Sequence, residues 1–176
     1  YIVNVNTPPS SGTLRLKDAA THEDAGPTMH VIDEAGTVAK VEISAEDWVD
    51  ESGHLPLSYE FRTSYPSTAE REVVLARGSA PTVVVRLPAG KSEDEYNVNV
   101  VVYVSDRYGA TSRYQRNIQV IMTSAGVPDS AAASNLAVSL MNETGAFTTA
   151  KKTGDVREML QLCTILGDLL GVEGVS

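Results

Sequence analysis

The sequence predicts a mostly-β fold, a two-sheet sandwich over residues 1–124, followed by a helical extension of two helices over residues 125–176. Three observations predict it. Short runs rich in β-branched and aromatic residues recur at close spacing. Gly and Pro punctuate them. After Gly126 the apolar period changes from two residues to three or four.

In chain order, the strand candidates are residues 13–17, 38–43, 57–62, 72–76, 82–87, 97–104 and 113–122. Pro8-Pro9, Gly26-Pro27, Gly53, Pro56, Pro81 and Pro88 separate them. The clearest is 97–104. Val98, Val100, Val102 and Val104 share one face, and Val101 and Tyr103 make the second face partly apolar. Such a strand belongs near the middle of a sheet. Asp106-Arg107-Tyr108-Gly109 reads as a turn into 113–122, where Tyr114, Arg116, Ile118, Val120 and Met122 alternate with Gln115, Asn117, Gln119 and Ile121. A core of Trp48, Tyr59, Phe61, Val98, Val100 and Val102 follows. No alternation of strand and helix occurs before residue 125, which disfavours a doubly wound enzyme fold.

Asp129 can cap a first helix running through Ala131-Ala132-Ala133 to about Met141, with Ala133, Leu136 and Leu140 on one face. Residues 145–154 read as a polar connector. Asp155 and Glu158 have capping-box spacing and start a second helix, which Gly171 stops. Val156, Met159, Leu160, Cys163, Leu166 and Leu170 recur at helical spacing, and Leu162, Ile165 and Leu169 widen the stripe. So broad an apolar surface predicts docking on a neighbouring domain or subunit through Met159, Leu160, Cys163, Leu166 and Leu170. Cys163 then sits in the seam as a small buried hydrophobe.

The chain has 176 residues and a formal net charge of -9, with 14 basic residues among 23 acidic ones. Nucleic-acid binding needs clustered Lys and Arg, so no nucleic-acid partner is expected. One cysteine excludes an internal disulfide. The chain begins Tyr1-Ile2-Val3 with no apolar run near 18 residues. It reads as a piece of a longer protein, with any membrane attachment in segments outside it.

Little in the residues points to chemistry. His22, His30 and His54 fit no HxH or HExxH pattern and Cys163 no Cys-x-x-Cys pair, so no transition-metal site is expected. His54 reads as a turn residue. No serine stands in a G-x-S-x-G elbow. Asp47, Asp50, Glu51 and Asp106 are weak calcium candidates; they lack the EF-hand spacing and read as solvated loop residues, so no calcium site is expected either. No cofactor is implied. Asn142-Glu143-Thr144 is a glycosylation sequon, with Asn142 as acceptor in a secreted chain.

Several segments, in order, resemble the receptor-for-egg-jelly (REJ) modules of polycystin-1-like cell-surface proteins. Residues Asn6-Thr7-Pro8-Pro9-Ser10-Ser11-Gly12-Thr13-Leu14 are similar to the opening of such a module. Trp48-Val49-Asp50-Glu51-Ser52-Gly53-His54-Leu55-Pro56-Leu57-Ser58-Tyr59-Glu60-Phe61 resembles its tryptophan stretch. Leu87-Pro88-Ala89-Gly90, 98–104 and Asp106-Arg107-Tyr108-Gly109-Ala110-Thr111-Ser112 resemble its last strands, which also look like the PKD or fibronectin type of immunoglobulin-like sandwich. The resemblance spans about residues 6–122. It implies a non-catalytic recognition and spacer module outside the cell or at its surface, including the ciliary membrane, with neighbouring domains of one long chain, a surface assembly or a polycystin-type channel as partners. A structural role in an extracellular or ciliary filament is the alternative, and a hydrolase fragment a distant third. The family often has one cysteine after the Pro-Pro-Ser-Gly stretch and another before the tryptophan. Leu14 and Ala45 stand at about those positions, so an apolar pair would fill the disulfide's space.

Overall fold

The computed structural model describes residues 5–30, 39–121, 138, 140–142 and 145–171. Among the described residues the named elements are β1 Thr13–Asp18, β2 Thr28–His30, β3 Val41–Glu46, β4 Ser58–Ser64, β5 Val73–Gly78, β6 Thr82–Val85, β7 Asn97–Ser105, β8 Thr111–Ile121, α1 Ala146–Thr153 and α2 Val156–Gly171. The fold is mixed, predominantly strand, with the helices at its C-terminal end. One sheet has the order β1-β3-β6 and the other β2-β8-β7-β4-β5. All pairings are antiparallel except β2 with β8.

The alternation in β7 places it where the residues predict, between β4 and β8. Val98, Val100, Val102 and Val104 are buried, and so are Asn99 and Val101 on the opposite face. Both faces are therefore covered. Buried residues of both sheets join one cluster. Leu14, Leu16, Val41, Ile43 and Val85 come from the first sheet, and Phe61, Leu75, Val98, Val100, Val102, Ile118 and Val120 from the second. Trp48 and Tyr59 are only half-buried at its margin, not inside it. In β8 burial starts at Ile118; Tyr114 is exposed because β8 runs past the core.

Leu14 and Ala45 are direct cross-strand partners and both are buried. Such partners have Cα atoms about 4.5–5.5 Å apart, within the span of a disulfide. The apolar pair thus fills the position where a disulfide would join β1 to β3.

The predicted helix at 129–141 lies mostly outside the described residues; Leu140, helical and buried, belongs to the core cluster. The predicted connector is instead α1. Gly154 ends it in the left-handed conformation, donating to the Ala150 and Lys151 carbonyls, while Lys151 and Lys152 complement its C-terminal dipole. Propensity misses it because Gly145 and Gly154 bracket a polar octet, and burial of Ala150 supplies what propensity lacks.

Asp155 caps α2, its Oδ1 accepting from the Glu158 N–H at 3.0 Å. The reciprocal half of the box is absent because the Glu158 carboxylate turns to Arg86 at 2.8 Å and Lys40 at 3.3 Å. The Arg86 N–H donates to Gln161 Oε1 at 3.1 Å. These contacts lay α2 beside the end of β6, an edge strand. Leu162, Ile165 and Leu166 enter the same core cluster as the strands, and Met159 packs at its rim. The buried face of α2 therefore draws on both apolar sets, Leu162 and Ile165 from the widening one and Leu166 from the main repeat. Leu160 is 64% exposed and Cys163 is exposed, so this module's own core covers neither. Leu166 is engaged by this chain's own core, and the side chains of Leu169 and Leu170 lie outside the described set.

Candidate functional site

Three segments meet at one end of the two sheets. The N-terminal segment forms a bridge between Ser10 and Val49, and Ser112 Oγ donates to the Pro9 carbonyl. The 48–54 segment closes in a short 3-10 turn, Ser52–His54. The β7–β8 turn holds Asp106, and the Arg107 N–H donates to the His54 carbonyl at 3.0 Å. The Trp48 ring lies so close to Gly12 that a Cβ there would overlap it, so only glycine lets the N-terminal segment pass.

Here Asp50, His54 and Asp106 come together. Asp50 and Asp106 side chains are 2% and 0% exposed. His54 Nδ1 stands 3.3 Å from Asp50 Oδ1 and 3.7 Å from Asp106 Oδ2, and its Nε2 is 3.6 Å from Glu51 Oε2. The Tyr108 ring meets His54 edge-on, with centroids 5.3 Å apart. Burial pushes the Asp106 carboxyl up; hydrogen bonds from the Asn6 side chain and the Tyr108, Ala110 and Gly109 N–H groups outweigh this and hold it below the usual carboxylate range. Among the described residues, Asp50, His54 and Asp106 are the one group of three that could hold a metal ion.

The structure thus divides the four acidic candidates. Asp50 and Asp106 converge. Asp47 is exposed with φ 60, and Glu51 is exposed and reaches only the outer nitrogen of His54. His54 is no plain turn residue, and the solvated-loop expectation fails for both buried aspartates. The i,i+4 spacing of Asp50 and His54 was the local signal. Asp106 lies on a distant turn, and only strand pairing brings it there.

A second polar feature covers the outer face of the five-stranded sheet. Glu72 accepts from Arg62, Tyr103 and Arg113, while Arg62 stacks over the Tyr103 ring at 4.7 Å. Burial would raise the Glu72 carboxyl. The hydrogen bonds from Arg113 and Tyr103, with the charges of Arg113 and Arg62, hold it below its ordinary value of 4.5 instead. A depressed folded value means that this contribution to stability is complete above about pH 4.5 and is lost as pH falls through the folded value. Urea unfolding should accordingly show a midpoint that drops between pH 6 and pH 3 on an order set by such carboxylates. Glu72→Gln should flatten part of that slope, and an unchanged slope contradicts this role.

Asn142 is exposed just after helical residues 138, 140 and 141, as an acceptor must be. Among the described residues, no helix is long and apolar enough to cross a membrane.

The sequence matches the REJ domain over residues 1–165. The chain belongs to the REJ domain family. REJ domains are non-catalytic extracellular modules with a recognition or spacer role, and that is the role of this one. REJ domains typically occur within large multidomain receptor chains, and membership of the family supports a place outside the cell or at its surface. No curated protein matches the chain. Two solved structures are similar to part of this REJ domain, superoxide reductase (neelaredoxin) from Ignicoccus hospitalis and a variant of it. Each has 12% identity and a TM-score of 0.41, over 64% of this chain and 82% of its own. At that score the likeness says nothing of fold or chemistry.

Proposed function

We propose that this REJ domain is an immunoglobulin-like sandwich of the PKD or fibronectin type over residues 1–124, with residues 125–176 as a helical extension that joins it to the next domain. It spaces and presents binding surfaces in a large receptor-like protein, including receptors of the ciliary membrane that work with a polycystin-type channel. Membrane attachment belongs to segments outside this sequence.

One observation carries the reading. α2 binds its own body through Leu162, Ile165 and Leu166, yet Val156, Leu160 and Cys163 form an exposed row at i, i+4 and i+7. An apolar row left outward on a docked helix suits a second surface. Beside it, Val73 and Val74 are exposed on β5, and they line with Leu160 a groove of about 350 Å³. A following domain that covers this side would bury about 1.5–3 kcal/mol for each large apolar side chain removed from water. Asn142 stands exposed for a glycan.

Thiol labelling tests this reading, since Cys163 is the chain's one cysteine. Cys163 should label rapidly in the present chain and at least tenfold more slowly when the chain is extended by its next domain. Equal labelling rates overturn the docking role. Rapid labelling is itself the outcome opposite to a seam buried within this module.

A further inference from the structure

We propose that Asp50, His54 and Asp106 bind one divalent cation of the zinc class, with the Asn6 amide beside it. Each aspartate has one oxygen engaged by the main chain. Asp50 Oδ1 accepts from the Glu51 N–H at 2.7 Å, and Asp106 Oδ1 from Tyr108 and Ala110 at 2.8 and 2.9 Å. The other oxygen of each, Oδ2, is buried with no hydrogen-bond partner, and so is His54 Nδ1. Asn6 Oδ1 is likewise buried and unpartnered. Buried polar atoms are normally paired, and this many unpaired at one place is a reason to look for a ligand.

The spacing suits a small ion. One ligand atom from each of the three residues lies within 4.8 Å of the other two. Ligands held tetrahedrally at about 2.0–2.2 Å stand about 3.3–3.6 Å apart. Nδ1 stands 3.7 Å from Asp106 Oδ2, which has no hydrogen-bond partner, and 3.3 Å from Asp50 Oδ1, the oxygen that also accepts from the Glu51 N–H. Donor type decides the ion. Calcium takes six to eight oxygens, whereas an imidazole nitrogen with a few carboxylates suits zinc and its first-row neighbours. The outer nitrogen of His54 lies 3.6 Å from the exposed Glu51 carboxylate.

The competing arrangement is a protonated His54 between two carboxylates. It adds a single proton at Nδ1 and leaves buried carboxylate oxygens unpaired, which is costly. A dication meets both carboxylates and the neutral imidazole at once. Bound there, it cross-links the N-terminal segment, the 50–54 turn and the β7–β8 turn, and so stiffens this end of the module.

The test uses the full chain after chelator treatment, titrated calorimetrically with zinc chloride and, separately, calcium chloride. Zinc should bind at one ion per chain. His54→Ala should weaken zinc at least ~10-fold. Cobalt(II) should give a visible absorption band that His54→Ala abolishes. Asp106 also holds the β7–β8 turn, so Asp106→Asn would lose stability whatever the ion does. His54→Ala, its fold verified by circular dichroism, is therefore the deciding variant. Absence of zinc binding, equal zinc affinity in His54→Ala, or calcium binding that survives His54→Ala each overturns the proposal.

Discussion

Replacing Phe61 with alanine is expected to lower the unfolding free energy by about 3–5 kcal/mol. Phe61 is 1% exposed and is the largest fully buried side chain among the described residues. It sits in β4 opposite Val102 of β7 and Ala76 of β5. The register slips by one residue between Phe61 and Arg62, so the ring lies at a bend in the strand. The Tyr59 ring is roughly parallel to it, with centroids 6.5 Å apart. β4 itself is paired on both sides, by β5 and β7, and packed walls of this kind collapse little into the space the ring leaves. The cost is then the transfer of the ring plus an uncollapsed cavity. Urea denaturation followed by far-UV circular dichroism measures it. Phe61→Leu should recover more than half of the loss, because it keeps most of the volume. A loss below about 1 kcal/mol for Phe61→Ala would show that the ring is not central to the core.

Gly90→Ala is expected to cost about 3 kcal/mol or more, the upper end for overpacking, though it adds only one carbon. A Cβ at Gly90 would overlap the Tyr96 carbonyl and Cα. Whether that matters depends on whether either backbone can yield. Gly90 N–H donates to the Val120 carbonyl at 2.7 Å, and the Val120 N–H donates to the Tyr96 carbonyl at 2.9 Å. Both sides of the clash are therefore anchored to the same residue of β8. Tyr96 itself has φ 61, and the Glu95 before it φ 53, so this loop already holds two residues in the left-handed region. Moving the loop away would break one of those hydrogen bonds and leave a buried strand group unpaired. Gly53→Ala is the matched comparison: nothing stands within 4 Å of a Cβ there. Thermal unfolding of the two variants should separate them by well over 5 °C, on the order set by ~1 kcal/mol per few degrees. Similar melting temperatures would mean that the Gly90 loop relaxes.

Much of the strand region was legible because its signal is local. Period-two valines in β7 need a covered sheet, and the chain has no other way to bury them. The Asp106–Gly109 turn fixes the β7–β8 register, so the hairpin came with it. β2 went unread because three residues, Thr28–His30, carry no period, and their parallel partner β8 lies far along the chain. The Trp48 ring was placed too deep. Its apolar bulk suggests a core position, but the Gly12 passage holds it at the margin.

The C-terminal region divides along the same line. That residues 155–171 form a capped amphipathic helix follows from spacing alone, since Asp155 and the apolar repeat are read within one or two turns. Which of two overlapping stripes faces inward does not follow. Leu160 with Cys163 and Leu162 with Ile165 are equally apolar, and Arg86 and Lys40 turn the helix by gripping Glu158. The candidate ion site shows the same limit. The residues themselves establish a strand-rich REJ module with acidic loops, because composition, period and motif order act over short distances. Strand pairing over long distances decided that Asp106 lies against Asp50 and His54, and that their polar atoms are buried. Burial and convergence are properties of the packed chain, and they turn ordinary loop carboxylates into a place where charge must be answered.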